Sequence, residues 1–164
     1  FDNVLVPKDR IVGEPGNGWQ QVTSELAYER SGPERFLSSF RVFVELVRIC
    51  GDSPSPHQAA AIGRIASHFM TLRRMSLSVA GMLEAGKDVS VEAALVKELG
   101  NNFEKLLPEI ARLVAPDFSA ADPDKQRLFR ETFEETLMLS PSFTLRGGTR
   151  EIMRGVIARG LGLR

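Results

Sequence analysis

From Ser55 to Gly86 apolar side chains recur at spacings of three and four: Ala61, Ile62, Ile65, Phe69, Leu72, Met75, Val79, Met82 and Leu83. After Pro56 no proline interrupts the run. That spacing lays one apolar stripe along an α-helix and is incompatible with the two-residue period of a strand. Ser55-Pro56 suits a helix start, where the missing proline N–H costs little, and Gly86 suits its end. The helix should run about 30 residues and ~45 Å. A one-sided stripe of that length must be covered by other elements, which already points to a layered helical fold.

The rest of the chain repeats the pattern. From about Gly18, Trp19, Val22 and Leu26 are followed, beyond Pro33, by Phe36, Phe40, Phe43, Leu46 and Val47. Pro33 should kink this region near Glu29–Arg30 or split it, since it removes a backbone donor. Gly51 to Pro56 reads as a loop, Lys87 to Val89 as a turn, and Ser90 as the N-cap of a further helix. That helix carries Ala94, Leu95, Leu99, Phe103, Leu106 and Leu107, with a kink expected at Pro108 and an end at Ala115-Pro116. A polar loop is expected from Asp117 to Asp122. Pro123 to about Leu139 then forms a helix carrying Leu128, Phe129, Phe133 and Leu137, Pro141 to Gly148 a glycine-containing loop, and Thr149 to Leu161 a last helix. Residues 1–17 read as a short extended segment closing on Pro15 and Gly16. The expected fold is all-α: an antiparallel four-helix bundle with a short extended N-terminal segment and a fifth, C-terminal helix. Residues 18–164 would be the bundle domain. Residues 1–17 would be the end of a preceding sheet domain and its linker, so the chain is expected to be part of a longer protein.

Charge excludes several classes of partner. Lys and Arg number 21 and so do Asp and Glu, for a formal net charge of zero among 164 residues. Nothing in that balance attracts nucleic acid or an anionic lipid surface. No apolar run approaches the ~20 residues of a membrane span. Cys50 is the one cysteine, so no disulfide can form within the chain, as expected of a cytoplasmic protein. His57 and His68 have no third ligand near them in sequence, and no metal site is expected. Arg64, Arg73 and Arg74 read as a solvated face, with phosphate groups as a conceivable partner.

Two segments carry more specific information. Gly147-Gly148 before Thr149 would let backbone approach a ligand closely, and a helix start at Thr149 offers free N–H groups to an anion. From these residues alone, a connector followed by an N-cap is the more natural reading, since glycine pairs are common in loops. The wider segment, Ser142 to Gly162, contains Gly148-Thr149-Arg150-Glu151-Ile152 and Ile157-Ala158-Arg159. It resembles the carboxy-terminal signature of acyl-CoA dehydrogenases. The opening segment resembles the same family's passage from its sheet domain into its helical domain: Phe1 to Pro7, Val12-Gly13-Glu14, Gly16-Asn17-Gly18-Trp19 and Glu29-Arg30.

The resemblance implies a helical-bundle domain of a flavin-dependent enzyme that desaturates an acyl-CoA thioester between its α- and β-carbons. It implies FAD as hydride acceptor, an electron-transfer flavoprotein as oxidant, and a homo- or hetero-oligomer. Some members carry the catalytic base as a Glu directly before the Gly-Thr pair; here that position is Gly147, which cannot take a proton. Other members carry it on the first long helix, directly before an Arg, and Glu29-Arg30 matches that arrangement. The resemblance thus makes Glu29 the base, puts Arg30 and Gly147 against the substrate, and puts Gln58, Gly148, Thr149 and Glu151 against the cofactor. Read alone, Glu29 is an ordinary helix-face carboxylate, and Glu151 a first-turn carboxylate favoured by the helix dipole. Two patches depart from the family. Its Arg-x-x-Phe-Gly is Val47-Arg48-Ile49-Cys50-Gly51 here, and its Gln-x-x-Gly-Gly is Arg112-Leu113-Val114-Ala115-Pro116. Two other functions therefore stay open: a non-catalytic subunit of a hetero-oligomeric dehydrogenase, and a helical interaction module without flavin chemistry. On its own the chain is expected to be inactive.

Overall fold

The computed structural model describes residues 1–116 and 122–163. Six α-helices form in chain order: α1 Gly18–Ser31, α2 Phe40–Cys50, α3 Pro56–Glu84, α4 Ser90–Val114, α5 Pro123–Leu139 and α6 Arg150–Gly160. The described residues contain no strand. Short 3-10 turns cover Lys8–Arg10, Pro33–Arg35 and Ser140–Leu145. The all-α expectation holds.

α3 follows its sequence signals closely. Ser55 accepts the backbone N–H of Gln58, and the Gln58 side chain accepts the N–H of Ser55, a reciprocal capping box. At the far end Gly86 takes φ 70, and the amides of Gly86 and Lys87 close back on the carbonyls of Leu83 and Met82. Only glycine enters that conformation cheaply, so the helix stops there. Pro33 splits the first helical region rather than bending it: α1 ends at Ser31, and α2 begins only at Phe40. α4 runs unbroken through the buried Pro108. Its N-cap position is Val89, and the expected cap, Ser90, is instead held by Asp88 through its N–H (3.0 Å) and its hydroxyl (2.6 Å).

α4 is the centre of the molecule and packs against each of the other five helices. α2 packs on α3, α4 and α5, while α1 and α6 both lie on α4. α3 and α4 run antiparallel, since Gln58 at the start of α3 donates to the Val114 carbonyl at the end of α4 (3.0 Å). The apolar core joins Val42, Leu46 and Ile49 of α2, Ile65, Phe69, Leu72 and Val79 of α3, Val96, Phe103, Leu107 and Ala111 of α4, and Phe129 of α5. Phe69 sits at the aromatic focus, with ring centroids 5.1, 5.5 and 4.8 Å from those of Phe40, Phe43 and Phe103.

Several apolar residues assigned by spacing to inner faces are exposed: Trp19, Val22, Leu99, Leu106 and Leu137. α4, at the centre, departs in the other direction as well. Contacts on every side widen its buried surface beyond a single stripe and draw in Lys97, Glu98, Asn101 and Glu104. Residues 1–17 are exposed throughout. The polar loop expected from 117 onward lies outside the described residues, apart from Asp122.

Candidate functional site

The 3-10 turn Ser140–Leu145 delivers the chain to Arg146, and Gly147 and Gly148 then take φ 66 and 102 before Thr149 opens α6. Both glycines occupy the left-handed region that side chains avoid. This loop lies against the last turn of α1. A Cβ at Gly147 would stand 3.3 Å from Glu29 Oε1 and 3.6 Å from the Arg30 side chain. The two positions that the resemblance offers for a base, 118 residues apart in sequence, are therefore adjacent in space. Arg30 does not hold the Glu29 carboxylate by a hydrogen bond; its Nε donates to the Gly147 carbonyl across 3.0 Å and ties α1 to the loop. Burial lowers the Arg30 pKa, against the opposing pull of Glu29.

The residue that grips Glu29 is Arg35. Its Nε donates to the Glu29 carbonyl (2.8 Å) and its Nη2 to Glu29 Oε1 (2.5 Å). The Arg35 side chain is 4% exposed and that of Glu29 40%, so a buried cation presents a half-open carboxylate. Arg35 fits beneath the site because α4 has Gly100 there: a Cβ at 100 would collide with the Arg35 carbonyl oxygen.

Beneath the loop, α4 contributes Lys97, Asn101 and Glu104, all fully buried. Glu104 Oε1 accepts the Ser38 N–H (2.7 Å), and Oε2 pairs with Arg146 Nη2 (2.9 Å). Burial raises the Glu104 pKa, while Ser38 and Arg146 pull it down. Arg146 also donates to the Ser38 hydroxyl (2.9 Å) and lies 4.7 Å above the Phe143 ring. Glu98 gathers Arg150 (3.3 Å) and Arg154 (3.1 Å) of α6. The Lys97 ammonium donates to the carbonyls of Gly148 and Thr144. Its pKa is lowered to about 8, first by burial and then by Arg35.

Glu29, Arg30, Gly147 and Gly148 thus come together, with Thr149 next to them as N-cap of α6. Glu151 is exposed on the first turn of α6, and bonding to its own amide and to Thr149 lowers its pKa. Gln58 stands apart. It meets α4 at Val114, while the loop meets α4 at Lys97, 17 residues earlier and therefore ~25 Å away along the helix. Both ends of its amide are spent inside the chain. Arg35, Lys97, Asn101 and Glu104 escaped the sequence reading. The available signal was a polar series at i, i+4 and i+7 (97, 101, 104) within an otherwise apolar helix.

Other sequence candidates take structural places. His68 stacks on Phe103 with centroids 5.0 Å apart. Cys50 is half-buried, and burial pushes its thiol pKa up. Among the described residues no cluster of His, Cys, Asp and Glu could hold a metal ion, and no helix is long and apolar enough to cross a membrane. An apolar groove of about 560 Å³ between the Pro33 turn and α3, lined in part by Phe36, Phe40, Met70 and Leu77, includes neither Glu29 nor Gly147.

No protein-family model matches the chain. Individual proteins do. The chain is 28% identical to the acyl-CoA dehydrogenase FadE29 of Mycobacterium tuberculosis, over 96% of its own length and 42% of that protein. It is 25% identical to the acyl-CoA dehydrogenase FadE34 of the same organism, over 98% of this chain and 22% of that protein. It is 26% identical to the acyl-CoA dehydrogenase IpdE1 of Mycolicibacterium smegmatis, over 99% of this chain and 41% of that protein. The chain therefore resembles acyl-CoA dehydrogenases along nearly its whole length and spans less than half the length of these relatives.

Proposed function

We propose that this chain serves a flavin-dependent acyl-CoA dehydrogenase in which Glu29 removes the α-proton of an acyl-CoA thioester. The observation that carries the reading is the juxtaposition of Glu29 with Gly147. With glycine at 147, the space there stays open and the neighbouring carboxylate can face it. Arg35 occupies Oε1 from the buried side and fixes the backbone of Glu29 as well, which holds the carboxylate in place. Among the described residues Oε2 has no hydrogen-bond donor, and that oxygen is the one we assign to the proton.

For the flavin, the two halves of the expected envelope differ. At the loop the residues fit: Gly148 exposes backbone, and the Thr149 side chain caps none of the first amides of α6, although Glu151 engages its own. At the start of α3 they do not, because the Gln58 amide is already engaged at both ends. Bound at the loop, FAD would supply the hydride acceptor, so that loss of the α-proton to Glu29 and of the β-hydride leaves the α,β-unsaturated thioester. Reoxidation by an electron-transfer flavoprotein and assembly into a homo- or hetero-oligomer belong to the same reading, supported by the resemblance.

Glu29→Gln tests it. In the intact protein the substitution keeps the Arg35 contact but removes the base. Turnover of acyl-CoA should fall by about 10²–10⁴-fold, the span of general-base contributions, while flavin absorbance is retained. Undiminished turnover in Glu29→Gln would remove Glu29 from the mechanism. The engaged Gln58 amide favours one second reading, a subunit that needs a partner chain to complete its flavin site. In that case the protein purified alone is colourless, and flavin bands appear only with the partner.

A further inference from the structure

Resting on the reading of Glu29 as base, we infer that Lys97 is a positioning residue that fixes the height and direction of the glycine loop opposite Glu29. The ammonium has three donors and no acceptor capacity. Two of the donors go to the carbonyls of Thr144 (3.5 Å) and Gly148. The third goes to Asn101, whose amide oxygen meets the ammonium at 2.8 Å when its nitrogen faces the Phe143 carbonyl at 3.2 Å. That amide orientation is the one its neighbours require, with an ammonium on one side and a carbonyl on the other. Through Lys97 and Asn101, α4 thereby holds the carbonyls of residues 143, 144 and 148. Arg30 holds that of 147 from the other side. The loop is pinned at its entry, at its exit and at Gly147 itself.

Packing does not account for this lysine. The side chain is fully buried, its direct partners are neutral carbonyls and an amide, and Arg35, Arg30 and Arg146 add repulsion. Among the described residues the opposing charge that acts on it, Glu98, is committed to Arg150 and Arg154. An isolated cation in such a place is costly to bury, and an apolar side chain of similar length would fill the same volume without that cost. What the lysine adds is three directed donors aimed at one loop. Since Gly147 and Gly148 carry no side chains of their own to pack, the loop has few other means of holding its conformation.

The test is Lys97→Met in the intact protein, read by amide hydrogen exchange and by steady-state kinetics. Exchange of amides 146–151 should rise at least about tenfold while the amides of α3 keep their protection. At the same time kcat should fall by about 10–100-fold with KM for acyl-CoA changed far less, since a displacement of about 1 Å at a reacting centre costs on that order. Unchanged loop exchange overturns the inference. So does a uniform rise across all helices with kcat per folded molecule intact, which would mark Lys97 as a stability element alone. Should Lys97→Met fail to fold, Asn101→Ala removes one acceptor and the Phe143 tether while keeping the ammonium, and the same two readouts decide. If the wild-type protein turns over no acyl-CoA, the assignment of function falls, and the exchange data still decide whether Lys97 holds the loop.

Discussion

Between Leu107 and Val114, α4 presents apolar side chains inward; between Lys97 and Glu104 the same helix presents an ammonium, an amide and a carboxylate. Both stretches are buried, by different means. The C-terminal stretch belongs to an apolar core in which most atoms are interchangeable as long as the volume is filled. In the N-terminal stretch Lys97, Asn101 and Glu104 depend on particular partners, supplied by Ser38, by the loop 143–148 and by Arg146. The apolar half gives the molecule its stability. The polar half spends some of it to hold Glu29, Arg35 and two glycines in one arrangement, an arrangement that apolar contacts, being non-directional, cannot specify.

Breaking the apolar half should have the largest effect on stability. Phe69→Ala deletes the ring shared by Phe40, Phe43 and Phe103, and should cost about 3–5 kcal/mol in a denaturant titration. If the two halves are as distinct as described, the loop amides should lose protection no faster than the helices do. Glu104→Ala breaks the polar half at its anion. It leaves the Ser38 amide without its acceptor and Arg146 without its counter-charge, at about 3 kcal/mol. Here the order should reverse, with loop protection collapsing before that of α3. Equal losses in both regions would mean that the polar half is not a separate unit.

The smallest effect is a pH dependence. In the folded protein the Lys97 pKa is lowered from 10.5 to about 8, so between those values the unfolded chain binds more protons. Stability from this group is therefore reduced below pH 8 and recovers as the pH rises toward 10.5. Arg30, Arg35, Arg146 and Glu98 are the charged groups that act on the ammonium. Relative to Lys97→Met, the wild type should gain about 1 kcal/mol between pH 7 and pH 9. A flat difference between the two proteins would place the Lys97 pKa near its ordinary value and the ammonium in a wetter site than its burial indicates.

Much of the architecture was legible in the residues. Ser55-Pro56 and Gly86 marked both ends of α3, Pro123 the start of α5, and Pro33 a break in the first helical region, because capping and proline chemistry act within a few residues. The aromatic core from Phe36 to Phe129 followed from spacing alone. On α4 the spacing rule failed both ways: Leu99 and Leu106, assigned inward, are exposed, while Lys97, Asn101 and Glu104 are buried because a surrounded helix buries more than a single stripe. Of the site, the glycine pair stood out in the residues, while Glu29 and Arg30 were named from resemblance, which alone put them at one substrate with Gly147; no local pattern pointed to that contact.

By itself, then, the sequence determined an all-helical chain, most of its helix ends, and the apolar surface that draws the helices together; that the first helical region is two helices, making six among the described residues where five were expected, was left to the structure. Only the tertiary structure decided that Gly147 lies beside Glu29, that Arg35 rather than Arg30 bonds its carboxylate, that Gln58 is spent on a helix cap and a carbonyl, and that Lys97 is buried under a loop 47 residues further along the chain. The physical reason is range. Helix periodicity and capping are settled by neighbours three or four residues away, whereas the cost of burying a charge depends on partners that packing brings from anywhere in the chain.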